Sequence, residues 1–385
     1  MSLNNLSACL SDTGDRGGAL AAIREPVEIY RRLSEANPAR YEPFLATSLN
    51  NLSADLSDAG DPGGALAAIR QAVEIRRRLS EANPARYEPD LAMSLNNQSN
   101  RLSNTGDRGG ALAAIREAVE IRRRLSEANP ARYEPDLATN LNNLSACLSD
   151  TGDREGALAA IREAVEIRRR LSEANPARYE PDLAGSLHNL SNCLHDAGDD
   201  AGALAAIGET VEILHRLSEA NPARYEPDFA TSLNNLSAHL SDAEDHAGAL
   251  AASREAVEIR RRLSEANPAR YEPDLAMSLS NLSADLSDAG DPGGALAAIR
   301  EAVEIRRRLS EANSARYEPD LAMSLSNLSN RLRDARDHAG ALAAIREAIT
   351  LLRPFAEKWP ESQEAQWFEV LQARLRELSG EDEGA

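Results

Sequence analysis

The sequence predicts an all-α fold, a solenoid of stacked helical hairpins, on two observations. A 46-residue text recurs almost verbatim, its opening leucine returning at Leu3, Leu49, Leu95, Leu141, Leu187, Leu233, Leu279 and Leu325. A fixed period of roughly 20–50 residues marks a repeat array. Within each copy the apolar residues keep helical spacing, and no segment alternates as a strand would.

The copy around Leu49 shows each element in order. Leu45, Leu49, Leu52 and Leu56 stand 4, 3 and 4 apart, one stripe of a first helix. Pro43 is expected in its first turn, where a missing N–H costs nothing. Gly60 suits a left-handed cap, while Asp61 offers an N-cap oxygen and Pro62 a preset first turn for a second helix. That helix carries Ala65, Leu66, Ile69, Ala72, Val73, Ile75 and Leu79 on a broad apolar face, about 20 residues and about 30 Å long. It stops near Asn83-Pro84, and the text from Asn83 to Pro89 is expected as a connecting loop. One hairpin cannot bury both of its apolar sides alone, whereas stacking against neighbours can.

Leu49-x-x-Leu52-Ser53-x-x-Leu56, then Ala65-x-x-x-Ile69 and Ala72, resembles the tetratricopeptide repeat in order and spacing. Leucine, serine and isoleucine stand for the usual tryptophan, glycine and second aromatic. The copies exceed the usual length of about 34 residues. With their Leu-Asn-Asn-Leu start they look like the kinesin light chain type. The resemblance covers nearly the whole chain. It implies a right-handed superhelix, first helices lining a concave groove, and a protein partner, and it is nearly silent about which one.

Residues 1–353 are expected to form about eight copies, 354–379 a C-terminal cap, and 380–385 a disordered acidic tail. The start, Met1-Ser2-Leu3, matches the interior of a later copy and reads as an internal methionine of a longer frame, or else a truncated first repeat. Pro26 falls in mid-helix and predicts a kinked or frayed first hairpin. The fifth and sixth copies form a weak middle. Gly208 lies inside a helix, Glu244 replaces a capping glycine, and Ser253 replaces a core isoleucine. Arg336 displaces another capping glycine, and Pro354 is expected to interrupt the last long helix. Trp367, Leu371, Leu375 and Leu378 at helical spacing suggest a helix over residues 363–378 that seals the array, with a docking site as the alternative.

A formal charge of −19 disfavours nucleic acid and anionic membranes as partners. No apolar run of about 18 residues is present, so no membrane span is expected. The start lacks the basic and apolar regions of a signal peptide. Cys9, Cys147 and Cys193 share a slot that elsewhere holds Asp55, Arg101, His239, Asp285 or Arg331, so that slot is expected to touch solvent. Packed helices lie about 8–10 Å apart, beyond the roughly 7 Å limit for a disulfide, which leaves free thiols and fits a cytoplasmic protein.

No catalytic constellation stands out, no Gly-rich phosphate loop occurs, and no cofactor is expected. His188 and His195 share a helix face with Asn192, but two histidines without a third donor make a poor metal site. The Arg76-Arg77-Arg78 run, repeated through the chain, is expected on a solvated face, with Glu74 and Glu81 four residues from Arg78 and Arg77. The asparagines form the remaining signal. Asn51, Asn97, Asn143, Asn189, Asn235, Asn281 and Asn327 recur beside the stripe, preceded by Asn50, Asn96, Asn142 and His188 in four copies. In the family such residues hold the backbone of an extended peptide, and a carboxamide matches a peptide unit's N–H and C=O. The other reading is that these amides only bond neighbouring helices.

The expected function is a non-enzymatic scaffold binding an extended peptide or protein segment along the first helices. One alternative is a regulatory arm of a larger signalling ATPase or protease. A second is a self-assembling array, with end-to-end association in place of the expected monomer.

Overall fold

The structure, a computed structural model, describes residues 16–379. Expectations for Leu3, Cys9, the chain start and the tail lie outside these residues. Sixteen helices and no strand occur among the described residues. They fall into two compact units meeting at Asp199 and Asp200. The first contains α1 (Arg16–Ala36), α2 (Pro38–Asp58), α3 (Pro62–Ala82), α4 (Pro84–Asn104), α5 (Arg108–Ala128), α6 (Pro130–Asp150), α7 (Arg154–Ala174) and α8 (Pro176–Asp196). The second contains α9 (Asp200–Ala220), α10 (Pro222–Asp242), α11 (His246–Ala266), α12 (Pro268–Asp288), α13 (Pro292–Ala312), α14 (Ser314–Asp334), α15 (His338–Lys358) and α16 (Gln363–Ser379). No helix among the described residues is long and apolar enough to cross a membrane.

The hairpin turn follows from its residues. Gly60 takes φ +80°, and the Asp61 carboxylate accepts the Gly64 N–H at 2.8 Å to open α3. Glu244 and Arg336 hold the same left-handed backbone, at φ 61° and 62°, without glycine's freedom.

The junction between hairpins departs from expectation. The Asn83–Pro89 text is not a loop, because α3 ends and α4 begins around the single residue Asn83. The Asn83 N–H closes α3 on the Leu79 carbonyl at 3.0 Å, and its side chain accepts the Arg86 N–H at 3.2 Å. Pro84, not Pro89, occupies the first helical position. Pro89, like Pro43 before it, therefore lies inside the helix and removes one backbone bond. Pro26 and Pro354 also lie inside unbroken helices, so Pro354 does not interrupt α15, where Leu352 is fully buried.

The core lies between hairpins. In one cluster Val73 of α3 packs with Leu91 and Leu95 of α4 and Ile115 of α5, and the next repeats this with Val119, Leu137, Leu141 and Ile161. Each copy thus completes its core only with the next one, as a nearest-neighbour array requires. Ser253 stands fully buried in the isoleucine slot, its hydroxyl donating to the Leu250 carbonyl at 3.3 Å. At the end of the second unit, Leu371 of α16 is buried against Leu321, Leu325 and Ile349, with Trp367, Phe368, Leu375 and Leu378 packed around it.

Candidate functional site

Within the first unit the asparagines meet in pairs along the first helices. Asn97 Nδ2 donates to Asn50 Oδ1 at 3.1 Å, Asn143 to Asn96 at 2.8 Å, and Asn189 to Asn142 at 3.0 Å. These carboxamides are half-buried, as is Asn51. Asn50 Oδ1 and Asn142 Oδ1 also accept longer bonds from Ser94 and Ser186, at 3.5 and 3.4 Å, and Asn97 Oδ1 one from Asn96 at 3.5 Å, so the capacity that remains on the wall is mainly the second N–H of each donating carboxamide. His188 is half-buried on α8, with Asn192 and His195 exposed beside it.

The second unit breaks the pattern. Ser280 and Ser326 replace the first asparagine of the pair, and the Ser280 hydroxyl donates to its own helix at Ala276, 2.9 Å away. Asn234 is buried and donates to Ser278 Oγ at 2.8 Å. Asn235, Asn281 and Asn327 are half-buried.

The arginine run is not one solvated face. Its first member is buried in every copy that keeps it apart from Arg306, which is partly exposed. Arg76, 3% exposed, donates Nη1 to the Asp90 carbonyl at 2.8 Å and Ser94 Oγ at 2.5 Å, and Nη2 to Thr47 Oγ1 at 3.3 Å. One guanidinium thereby ties three helices. Where Asn140 replaces that serine, Arg122 turns to the Asp136 carboxylate at 3.0 Å and the Pro89 carbonyl at 3.0 Å. Where Asn234 engages Ser278, Arg260 turns likewise to Asp274, at 3.0 Å. Burial pushes Arg76, Arg122, Arg168, Arg260 and Arg306 below the ordinary arginine value, and nearby aspartates offset part of that. The second and third members do lie outside, but they cross between helices. Arg77 pairs with Glu117 at 2.7 Å, not with Glu81, and Arg78 pairs with Glu42 at 2.9 Å as well as Glu74 at 3.3 Å.

The variable slot is buried, not solvent-facing, where it holds Asp55, Cys147, Cys193, His239 or Asp285, and partly exposed at Arg101 and Arg331. Cys147 and Cys193 are 6% and 9% exposed, both free thiols, and Asp285 is 4% exposed. Each occupant meets serines of the preceding copy. Cys147 Sγ lies 3.4 Å from Ser99 Oγ, Cys193 Sγ 3.4 Å from Ser145 Oγ, and Ser237 donates to Asp285 at 2.5 Å. Arg101 donates to Ser57 at 2.6 Å, and Arg331 to Ser287. The signal was a pair of serines in the preceding copy, one 48 residues earlier that meets a thiol or a carboxylate and one 44 residues earlier that meets a guanidinium.

With this geometry in view, comparison places the chain. The tetratricopeptide repeat family model matches residues 45–85, 91–131, 137–177, 229–269, 275–315 and 321–353, and the chain belongs to that family. No curated protein matches it. Among solved structures it is similar to BtubC (BKLC) from P. vanneervenii, at TM-score 0.53 and 23% identity, over 64% of this chain and 91% of that one. It is similar to the apo form of the quorum sensor NprR from B. thuringiensis, at TM-score 0.62 and 12% identity, over 91% of this chain and 86% of that one. A Podosopora anserina putative kinesin light chain with nearly identical TPR-like repeats gives TM-score 0.44 and 20% identity, over 57% of this chain and 95% of that one. At these identities the likeness concerns the helical repeat fold. That fold is typical of protein–protein interaction and is generally non-catalytic.

Proposed function

We propose that the chain is a binding scaffold that holds an extended segment of a partner protein along its first helices. The observation that carries this is the row of half-buried asparagines on the first-unit wall, from Asn50 and Asn51 to Asn189. A peptide backbone presents alternating N–H and C=O groups, and carboxamides with a spare N–H can bond the latter. Packed helices stand about 8–10 Å apart, close to three residues of extended chain, so successive rungs would meet a peptide in constant register. The wall's equivalent positions carry Thr47, Met93, Thr139 and Gly185 and no lysine or arginine, so a clamp for an acidic tail is not part of the reading.

The test is affinity capture from the native cell, comparing the wild type with an Asn192→Ala variant, an exposed residue of α8 outside the three rungs. A partner held by the wall is lost in the variant while helicity and melting persist. Equal capture by both proteins would refute the wall as the binding face.

A further inference from the structure

Within each unit the second helices repeat one groove at the hairpin junctions, and the copy at His215 departs from its sisters. Between α3 and α5, over α4, the groove is lined by Arg77, Ser80, Glu88, Leu91, Glu117 and Glu120. Two of its three carboxylates are matched from within, Arg77 to Glu117 at 2.7 Å and Arg124 to Glu88 at 3.0 Å. Three 46-residue periods further on, between α9 and α11 over α10, the same places hold His215, Ser218, Glu226, Phe229, Glu255 and Glu258 around a cavity of about 280 Å³.

Two substitutions set this groove apart. At four sister junctions the arginine reaches a glutamate 40 residues on, in the pairs Arg77–Glu117, Arg123–Glu163, Arg261–Glu301 and Arg307–Glu347, at 2.5–2.7 Å, and at the first Arg31 reaches Gln71 at 3.4 Å. Here the arginine is His215, and among the described residues no arginine pairs with Glu255. The floor residue, leucine at the sister junctions, is Phe229, with the His215 ring edge-on to it at 5.4 Å. Glu226 remains matched by Arg262 at 2.8 Å, so the rest of the groove is intact. Losing one internal cation and exchanging the leucine floor for an aromatic one leaves Glu255 without the guanidinium that its sister carboxylates hold.

We propose that this groove takes an arginine side chain of a partner protein, seated against His215 and Phe229 and bonded to Glu255 and Glu258. A guanidinium is planar, stacks on aromatic faces and bonds carboxylates through two parallel N–H groups. A lysine ammonium, a hydrated point charge, fits this combination less well. The site lies on the second-helix side and does not depend on the asparagine wall.

The probe is acetyl-Leu-Arg-Leu-amide, titrated into the full chain by calorimetry beside its citrulline counterpart, which keeps the shape and loses the charge. Proton NMR of the His215 ring, assigned by difference with His215→Gln, localises the contact. Binding of the arginine peptide with a His215 shift is expected, and citrulline weakens it about tenfold or more. Glu255→Gln should do the same. His215→Arg restores the residue of the sister junctions, so the chain fills its own groove and excludes the peptide while circular dichroism stays unchanged. Asn51→Ala leaves binding untouched. Equal binding of both peptides, undiminished binding to His215→Arg, or no binding of the arginine peptide to the wild type would each overturn the proposal.

Discussion

Asn143 and Asn96, 47 residues apart in sequence, share a carboxamide hydrogen bond of 2.8 Å across the junction of two hairpins. The bond runs in one direction, as do its counterparts Asn97 to Asn50 and Asn189 to Asn142. A net hydrogen bond contributes about 0.5–1.5 kcal/mol. Asn143→Ala and Asn96→Ala should therefore each lower stability by about 1 kcal/mol, with a double-mutant coupling of about 0.5–1 kcal/mol. Asn327 and Ser280, the corresponding pair in the second unit, should show no coupling, because the Ser280 hydroxyl is bonded to Ala276. Urea unfolding of the two cycles makes the comparison.

Glu244 and Arg336 hold left-handed backbone that costs an L-residue about 1–2 kcal/mol. Replacing either with glycine relieves that strain and loses a few tenths of it to the freer unfolded chain. We expect gains of about 1 kcal/mol each, measured by thermal melting. Glycine introduced at exposed Glu74, inside α3, is the control and should cost about 1 kcal/mol.

Ser253 occupies a slot where Ile69, Ile115, Ile161, Ile207, Ile299 and Ile345 are fully buried. Ser253→Ile should stabilise the second unit by about 2 kcal/mol, the range expected for refilling an isoleucine site. Hydrogen exchange of α11 before and after reports it locally, and an unchanged rate would show that the site has collapsed around the serine.

Arg76 ties three helices, yet its pKa is lowered by burial, so its charged form is favoured in the unfolded chain. For a base the sign is unfavourable. The shift opposes folding below the folded-state pKa and relaxes only as pH rises through it. Both Arg76→Ala and Arg76→Leu remove the donor to Ser94 and the Asp90 carbonyl, but alanine also leaves the space of the side chain empty and should cost about 3 kcal/mol, whereas leucine fills it and should fall within about 1 kcal/mol of wild type. The chain contains its own precedent in Leu214, buried at the same position of α9. Denaturant titration of both variants decides the order.

The hairpin was legible because its determinants are local. Gly60, Asp61 and Pro62 act within a few residues of one another, and the leucine stripe needs only helical spacing. The errors concern partners one period away. Cys147 among aspartates and arginines reads as exposed until Ser99 of the preceding copy is placed against it. Arg76 looks like its neighbour Arg77 until Ser94 of the following copy arrives. Pro89 misled for a different reason, since a proline tolerated at the sixth helical position cannot be told by sequence from one at the first. In the asparagine wall the residues were found, but their pairing across copies was one of two readings and not a deduction.

The serine that meets each variable slot residue has a further consequence. A hydroxyl can donate or accept, and two serine positions divide the task, the one 48 residues earlier meeting the thiol and the carboxylate and the one 44 residues earlier meeting the guanidinium. At this slot, a hairpin that carries both serines can therefore precede any of the others. Unequal recombination among such units would create no mismatch there, and the length of such a gene is to that extent free to drift while its product goes on folding.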